Sequence, residues 1–323
     1  MNKPSLLVTR SIYPETLSKL EQHFEVDYNK TDEVYSKEGL IQKLQGMDAA
    51  MTTGTERIDD DVLKACPKLK ICSNIAVGYN NFDVASMTAR KVLATNTPDV
   101  LTETTADFGF ALMMATARRI AESEHYLRKG LWSKWSLDMF TGSDIFASTL
   151  GILGMGRIGQ AIAKRGAYGF GMKVIYHNRS PLPAELEGAC KAHYVSKQEL
   201  LQTCDHLVLV LPYTPQAHHT IGAAELNMMK STATLTNIAR GGIVDDAALA
   251  LALKNRQIAA AGLDVFENEP ALNPELLKLP NVVLTPHIAS ASRKTRLAMA
   301  ELAADNLIAY FEKGHALTPV NTF

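Results

Sequence analysis

The sequence has little of what membrane proteins, nucleic-acid-binding proteins and metalloproteins need. Its formal net charge is −1, which gives no reason to expect nucleic acid or an anionic membrane as a partner. No apolar run approaches transmembrane length, and the first residues lack the apolar segment of a signal peptide. The four cysteines have no CxxC spacing, which favours free thiols over a disulfide framework or a zinc site. These absences predict a cytoplasmic protein.

The length and the hydrophobic pattern predict two domains. The 323 residues are too many for one typical core. Short apolar runs alternate with helical patterns over residues 1–101, which predicts a small domain with a largely parallel sheet. Residues 102–129 form one long helical pattern, and a second series of strands and helices begins at Leu150. Residues 292–313 are expected to form a helix that returns to the first domain. The predicted fold class is α/β with a doubly wound parallel sheet.

A glycine-rich turn after Leu150 is the most informative stretch. It follows a predicted strand, opens a predicted helix and leads to a second strand about thirty residues later, as a dinucleotide-binding turn requires. Gly154 permits the tight turn, Gly156 leaves room for a pyrophosphate, and Gly159 lets the helix pack on the strand. The helix start directs N–H groups and its positive dipole end at that anion. We predict cofactor contacts from Gly154, Met155, Gly156, Arg157, Ile158 and Gly159.

The residues after the second strand indicate which dinucleotide binds. An NAD-preferring site has Asp or Glu about 20 residues after the glycines, where it binds the ribose 2′-hydroxyl. This chain has Asn178 there, followed by Arg179 and Ser180. A carboxylate would repel a 2′-phosphate, whereas an arginine beside a hydroxyl would bind one. The sequence therefore favours NADP(H), with NAD(H) as the alternative.

Charged side chains follow three later strands of the second series. Arg240 follows one strand, Glu267 and Glu269 follow the next, and His287 follows the last. Ligands of an open α/β sheet bind beyond the carboxyl ends of its strands, so we expect these side chains near the nicotinamide. Either glutamate could be the partner of His287.

This set of side chains suits the reduction of a 2-keto acid. The carbonyl oxygen needs a proton after hydride transfer, and histidine is the side chain that titrates near neutrality. A carboxylate on the other ring nitrogen fixes the tautomer and favours the protonated form. A guanidinium binds the substrate carboxylate and polarises the carbonyl. We predict Arg240 as substrate anchor, Glu269 as partner and His287 as acid/base. The backbone N–H groups of Val77 and Gly78, at a strand end, suit a small anion.

The connection over residues 130–148 is long, polar and aromatic. It contains both tryptophans of the chain, Trp132 and Trp135. A connection of this length without its own structure is typical of a functional or interface segment, and tryptophan is enriched at interfaces. The segment is therefore predicted to be an interface arm.

The other histidines give no metal prediction. His218 and His219 are adjacent, but no third ligand is evident. The remaining histidines mostly fall on predicted helices or loops away from the sheet edge. No metal cofactor is predicted.

Four segments in order resemble the signatures of the D-isomer-specific 2-hydroxyacid dehydrogenase family. They are residues 154–159, 237–242, 262–270 and 286–290. Within that family the chain is most similar to the glyoxylate/hydroxypyruvate reductases, including the 2-ketogluconate reductase type. Residues 76–83 and 178–180 carry this narrower match.

The resemblance implies two Rossmann-like domains, an NAD(P)-binding domain over 102–288 and a smaller, flavodoxin-like substrate domain over 1–101 and 289–323. It implies NADPH-dependent reduction of glyoxylate, hydroxypyruvate or 2-ketogluconate to the D-2-hydroxy acid by the triad predicted above. It also implies a homodimer, with the 130–148 arm at the interface and Trp135 reaching the partner's active site. The further cofactor contacts expected are Thr104, Pro212, Ala239 and Asp264.

Two departures from the family pattern and two alternatives bear on function. Ala289 replaces the glycine of the common His-Ile-Gly, which adds one methyl group. Phosphoglycerate-type members have an arginine where Asn74 stands, which argues against a phosphorylated substrate. One alternative is a dinucleotide-sensing, corepressor-like binding protein of the same fold. The other is a family member that acts on another 2-hydroxy acid, such as D-lactate.

Overall fold

A computed structural model describes residues 3–323. The chain divides into two compact units, Met1–Leu101 with Ala291–Phe323, and Thr102–Ser290. Both units contain a parallel sheet, which confirms the predicted α/β class with two Rossmann-like domains.

The first unit is built on a five-stranded sheet of order β2-β1-β3-β4-β5, which is the flavodoxin-like order. Each strand pairs in parallel with its neighbours. The strands are β1 (Ser5–Val8), β2 (Glu25–Tyr28), β3 (Ala49–Thr52), β4 (Ile71–Asn74) and β5 (Leu93–Thr95). The helices between them are α1 (Pro14–His23), α2 (Lys37–Leu44), α3 (Asp60–Ala65) and α4 (Val84–Ala89).

The second unit opens with two helices, α5 (Thr102–Ala117) and α6 (Ile120–Arg128). Its seven parallel strands are β6 (Thr149–Leu153), β7 (Lys173–His177), β8 (Ala192–Tyr194), β9 (His206–Leu209), β10 (Thr234–Asn237), β11 (Ala260–Leu263) and β12 (Val282–Leu284). The helices along them are α7 (Arg157–Lys164), α8 (Ala184–Cys190), α9 (Lys197–Thr203), α10 (Ala223–Met228) and α11 (Asp246–Lys254).

The order of this sheet is β12-β11-β10-β9-β6-β7-β8, so the strand order reverses at β6. Both faces are covered, because Leu150 and Ile152 enter one apolar core whereas Leu153 enters the other. The reversal creates a crevice beyond the carboxyl ends of β6 and β9, where ligands of such sheets bind.

The last helix, α12 (Arg293–Lys313), belongs to the first unit. It packs on the five-stranded sheet, where the Ser73 hydroxyl donates a 2.8 Å hydrogen bond to the Ala303 carbonyl. Ser292 caps its start by accepting a hydrogen bond from the Thr295 N–H. Among residues 3–323, no helix is long and apolar enough to cross a membrane.

The expectation of one helical pattern over 102–129 is wrong, because the helix breaks after Ala117. Arg119 has a left-handed backbone, with φ at 54°, and is the N-cap residue that precedes α6. The Ser143 N–H donates to the Ala117 carbonyl, and a Cβ on Gly142 would lie 2.2 Å from that oxygen. The later connection therefore terminates α5 by direct backbone packing, an interaction that periodicity alone does not reveal.

Candidate active site

The glycine turn between β6 and α7 is determined by close packing. Gly154 has φ at 102°, and a Cβ there would lie 2.6 Å from the backbone nitrogen of Leu211. A Cβ on Gly159 would lie 2.5 Å from the Gly154 carbonyl oxygen. By contrast, a Cβ on Gly156, at the start of α7, would meet nothing within 4 Å. The turn thus leaves open space at a helix N-terminus, which fits the pyrophosphate of a dinucleotide.

The tip of β7 carries the residues that were predicted to select the cofactor. The Asn178 Oδ1 accepts a 2.7 Å hydrogen bond from the Met155 N–H, so this side chain also holds the glycine turn. Arg179 and Ser180 follow and are exposed. In the part of the chain that the structure describes, Arg179 forms no salt bridge.

The remaining predicted cofactor contacts all lie in the second unit. Met155 and Ala239 are buried, whereas Arg157 and Pro212 are exposed. The partly buried residues are Thr104, in the first turn of α5, and Ile158, in α7.

The fold brings His287 and Glu269 together at the carboxyl edge of the seven-stranded sheet. The Nδ1 of His287 lies 2.8 Å from the Glu269 Oε2, and the Phe266 N–H donates to the Glu269 Oε1 over 2.8 Å. The His287 side chain is 47% exposed, and its Nε2 makes no hydrogen bond within residues 3–323. Of the two glutamates left open by the sequence, Glu269 forms the pair, because Glu267 binds another histidine, His219.

Arg240 follows β10 and is partly buried. Its Nη1 donates a 2.7 Å hydrogen bond to the Ala239 carbonyl. Burial lowers the pKa of Arg240, and the charge of Glu269 opposes that shift. Burial alone would raise the pKa of Glu269, but its hydrogen bond to His287 and the nearby positive charges lower that pKa on balance. The structure thus combines a cation, an ionised carboxylate and an imidazole.

Asp264 organises the loop that carries His287. It is fully buried, and its carboxylate accepts hydrogen bonds from the Thr285 hydroxyl and from the N–H groups of Ile288 and Ala289. Burial raises the pKa of Asp264 despite these donors. His287 has a left-handed backbone, with φ at 53°, which is uncommon for a residue other than glycine. Asp264 therefore holds the loop that carries His287 in place.

The predicted substrate contacts Val77 and Gly78 lie in the first unit, in the loop after β4. The Asn74 amide donates to the Gly78 carbonyl over 3.0 Å, and the Asn96 amide donates to the Val77 carbonyl over 2.8 Å. Both carbonyl oxygens therefore point toward side chains of the first unit. Within residues 3–323, neither the Val77 nor the Gly78 N–H donates a hydrogen bond, as an anion-binding loop requires.

The sequence shows no third potential metal ligand near His218 and His219, but the structure places one beside them. Potential ligand atoms of His218, His219 and Glu267 lie within 4.8 Å of one another. The His219 Nε2 lies 2.6 Å from the Glu267 Oε1, and this hydrogen bond accounts for their proximity without a metal. Sequence reasoning missed the cluster because Glu267 follows a different strand.

The 130–148 connection has no helix or strand. Large apolar side chains stand out from it, with Trp135 71% and Leu137 86% exposed. Exposed apolar residues this close together are typical of a protein interface.

Comparison with known proteins identifies the family. Residues 110–289 match the model of the D-isomer specific 2-hydroxyacid dehydrogenase NAD-binding domain. The chain belongs to the D-isomer specific 2-hydroxyacid dehydrogenase family. It is 49% identical over 311 residues to a glyoxylate reductase of Korarchaeum cryptofilum, with 95% of this chain and 93% of the relative covered. It is 47% identical over 312 residues to that of Thermococcus gammatolerans, with the same coverage.

A solved structure of this family gives the same picture. The NADPH-dependent glyoxylate/hydroxypyruvate reductase of Sinorhizobium meliloti, in complex with NADP and malonate, superposes with a TM-score of 0.86. Its sequence is 36% identical, and the match covers 99% of this chain and 97% of that one. This 2-hydroxyacid dehydrogenase is accordingly an oxidoreductase that binds a nicotinamide dinucleotide and reduces a keto acid.

Proposed function

We propose that this dehydrogenase reduces a small 2-keto acid, glyoxylate, hydroxypyruvate or 2-ketogluconate, to the D-2-hydroxy acid with NADPH. The observation that carries the proposal is the 2.8 Å contact between His287 and Glu269 at the sheet edge. The names of the relatives described above support a small keto-acid substrate. The second unit is proposed to bind the cofactor over residues 102–288. Residues 1–101 and 289–323 are proposed to form the substrate domain.

Three side chains perform the proposed reaction. The glycine turn would hold the pyrophosphate of a reduced nicotinamide dinucleotide, which would supply the hydride for the keto carbon. Arg240 binds the substrate carboxylate and stabilises the charge that develops on the carbonyl oxygen. The Nε2 of His287 donates the proton to that oxygen. Glu269 accepts a hydrogen bond from the Nδ1–H of His287, which orients the ring and stabilises the imidazolium that donates from Nε2.

The loop after β4 in the first unit favours a small, unphosphorylated acid as the substrate. The Val77 and Gly78 N–H groups are proposed to bind the substrate carboxylate. Asn74 is buried and occupied with the Gly78 carbonyl and the Asn81 side chain. It therefore supports the loop and adds no positive charge for a phosphate.

The decisive experiment is a kcat/KM panel over glyoxylate, hydroxypyruvate and 2-ketogluconate, with NADPH and NADH each, and over D-lactate with NADP⁺ and NAD⁺ each. We expect turnover of at least one of the three keto acids, with NADPH preferred. Tight dinucleotide binding without turnover of any 2-keto acid would instead support the corepressor-like binding protein. A preference for D-lactate oxidation would retain the fold and the triad but replace the substrate.

Arg179→Ala is expected to raise the KM for NADPH by about 10- to 100-fold, because a charge-assisted bond to the 2′-phosphate is lost. The KM for NADH should change by less than about 3-fold, because NADH has no 2′-phosphate. Steady-state kinetics with each cofactor measures both effects. Lys173→Ala, at the exposed opposite end of β7, is the matched control and should leave both constants unchanged. Equal effects on the two cofactors would contradict the assigned role of Arg179.

The exposed apolar arm is proposed to pair two copies of the chain, with Trp135 directed at the partner. Leu137→Asp should convert a dimer into monomers, because it places a charge where an apolar contact is needed. Sedimentation equilibrium measures the mass. Leu251→Asp is the matched control, since Leu251 is a similarly exposed leucine on α11. A wild-type protein that stays monomeric at micromolar concentration would refute the proposal.

A further inference from the structure

A second histidine–carboxylate pair includes a glutamate from the loop that carries Glu269. The His219 Nε2 lies 2.6 Å from the Glu267 Oε1, and Glu267 precedes Glu269 by two positions. The side chains of His219 and Glu267 are 37% and 26% exposed. The reaction proposed above uses neither of them.

This pair connects the loop after β11 to the segment that follows Arg240. The His219 N–H donates a 2.7 Å hydrogen bond to the Gly242 carbonyl. The Glu267 N–H donates a 3.0 Å bond to the Asp246 Oδ2, and Asp246 is only 3% exposed. Burial raises the pKa of Asp246 to about 6. The backbones of His219 and Glu267 are thus bonded to the two ends of the turn between Arg240 and α11, and their side chains join these two backbone segments.

The two loops also touch directly. A Cβ on Gly241 would lie 1.7 Å from the Phe266 carbonyl oxygen, so the backbones are in contact there. The N–H of the same Phe266 donates to the Glu269 carboxylate that binds His287. Any shift of Phe266 and Glu267 would therefore displace the Glu269 carboxylate and the Arg240 turn together.

We propose that His219 and Glu267 are positioning residues that hold the Glu269 loop against the Arg240 turn. In this arrangement they act on the reaction through Glu269, which keeps His287 in its productive tautomer. The inference rests on the proposed function, because it takes Arg240, Glu269 and His287 as the reacting set. It gives the His219–Glu267 ion pair a role in the reaction.

The test is a double-mutant cycle in the full-length protein. His219→Ala should lower kcat for the best keto acid by about 10- to 100-fold, because small displacements of catalytic groups are costly. The Kd for NADPH should stay within about 3-fold, since the pair does not touch the glycine turn. In a Glu269→Gln background, His219→Ala should lower kcat by less than about 3-fold, because the residue it positions is already disabled. An equal loss in both backgrounds would show a general structural role and overturn the proposal.

Two further variants test whether the effect of His219→Ala comes from the loss of its hydrogen bond to Glu267. His219→Gln retains a side-chain N–H donor for Glu267 and should recover most of the kcat that His219→Ala loses. His218→Ala is the matched control, because the ring of His218 stacks on His219 but bonds to Tyr213 rather than Glu267. A well-folded His219→Gln as impaired as His219→Ala would overturn the proposal. An effect of His218→Ala as large as that of His219→Ala would do the same and would point to a metal site.

A spectroscopic readout separates this inference from the proposed function. The ¹⁵N chemical shifts of the His287 ring report its tautomer and do not depend on turnover. They should change in His219→Ala and stay as in the wild type in His218→Ala. If the wild type reduces no 2-keto acid, the proposed function fails, and these shifts still decide the inference. Unchanged His287 shifts in His219→Ala would refute the positioning role.

Discussion

Replacing His287 by Ala is expected to lower kcat for the best 2-keto acid by about 10²- to 10⁴-fold, the usual contribution of a general acid. The Kd for NADPH should stay within about 3-fold, because the glycine turn and the β7 tip are built from other residues. His287 belongs to a loop that Asp264 holds through three hydrogen bonds to Thr285, Ile288 and Ala289. Removing the imidazole should therefore leave the loop in place.

Stopped-flow kinetics and NADPH fluorescence titration measure the two quantities separately. His315→Ala, at an exposed histidine of the first unit, is the control for loss of a histidine as such. Loss of both turnover and NADPH binding in His287→Ala would show that the residue supports the fold. Full activity in that variant would remove His287 from the mechanism.

Replacing Arg240 by Lys is expected to lower kcat/KM for the keto acid by about 10²- to 10³-fold. A lysine retains the charge but lacks the planar fork that binds a carboxylate through two parallel bonds. Arg240 is partly buried beside Glu269, so an ammonium there would be poorly hydrated and would leave acceptors unpaired. KM should rise because the bonds to the carboxylate already form in the ground state, and kcat should fall because the guanidinium also stabilises the charge that develops on the carbonyl oxygen.

Chemical rescue tests the Arg240 assignment directly. Added guanidinium ion should restore part of the kcat/KM of Arg240→Ala, whereas added ammonium should restore less. The Kd for NADPH is the internal control and should not move. If Arg240→Lys retained wild-type kcat/KM, the bidentate anchor would be excluded.

Much of the fold follows from local pattern. The alternation of apolar strands with amphipathic helices predicted both parallel sheets, because a strand covered on two faces must be apolar throughout. The short edge strand β8 was not predicted, because two of its three residues are exposed and form no apolar run. The helix break at Arg119 was not predicted either, because it depends on packing by Gly142 and Ser143, which come later in the chain.

For the candidate site, the sequence by itself determined which residue types stand at the carboxyl edge of the sheet. The glycine spacing, the neutral β7 tip and the acid, base and guanidinium at strand ends follow from residue type and strand position, since parallel strands bring their carboxyl ends to one edge. Only the tertiary structure decided which side chains meet. It paired His287 with Glu269 and His219 with Glu267. Only Asn268 separates the two glutamates, and a bond of 2.8 Å depends on backbone direction and packing that no local pattern specifies.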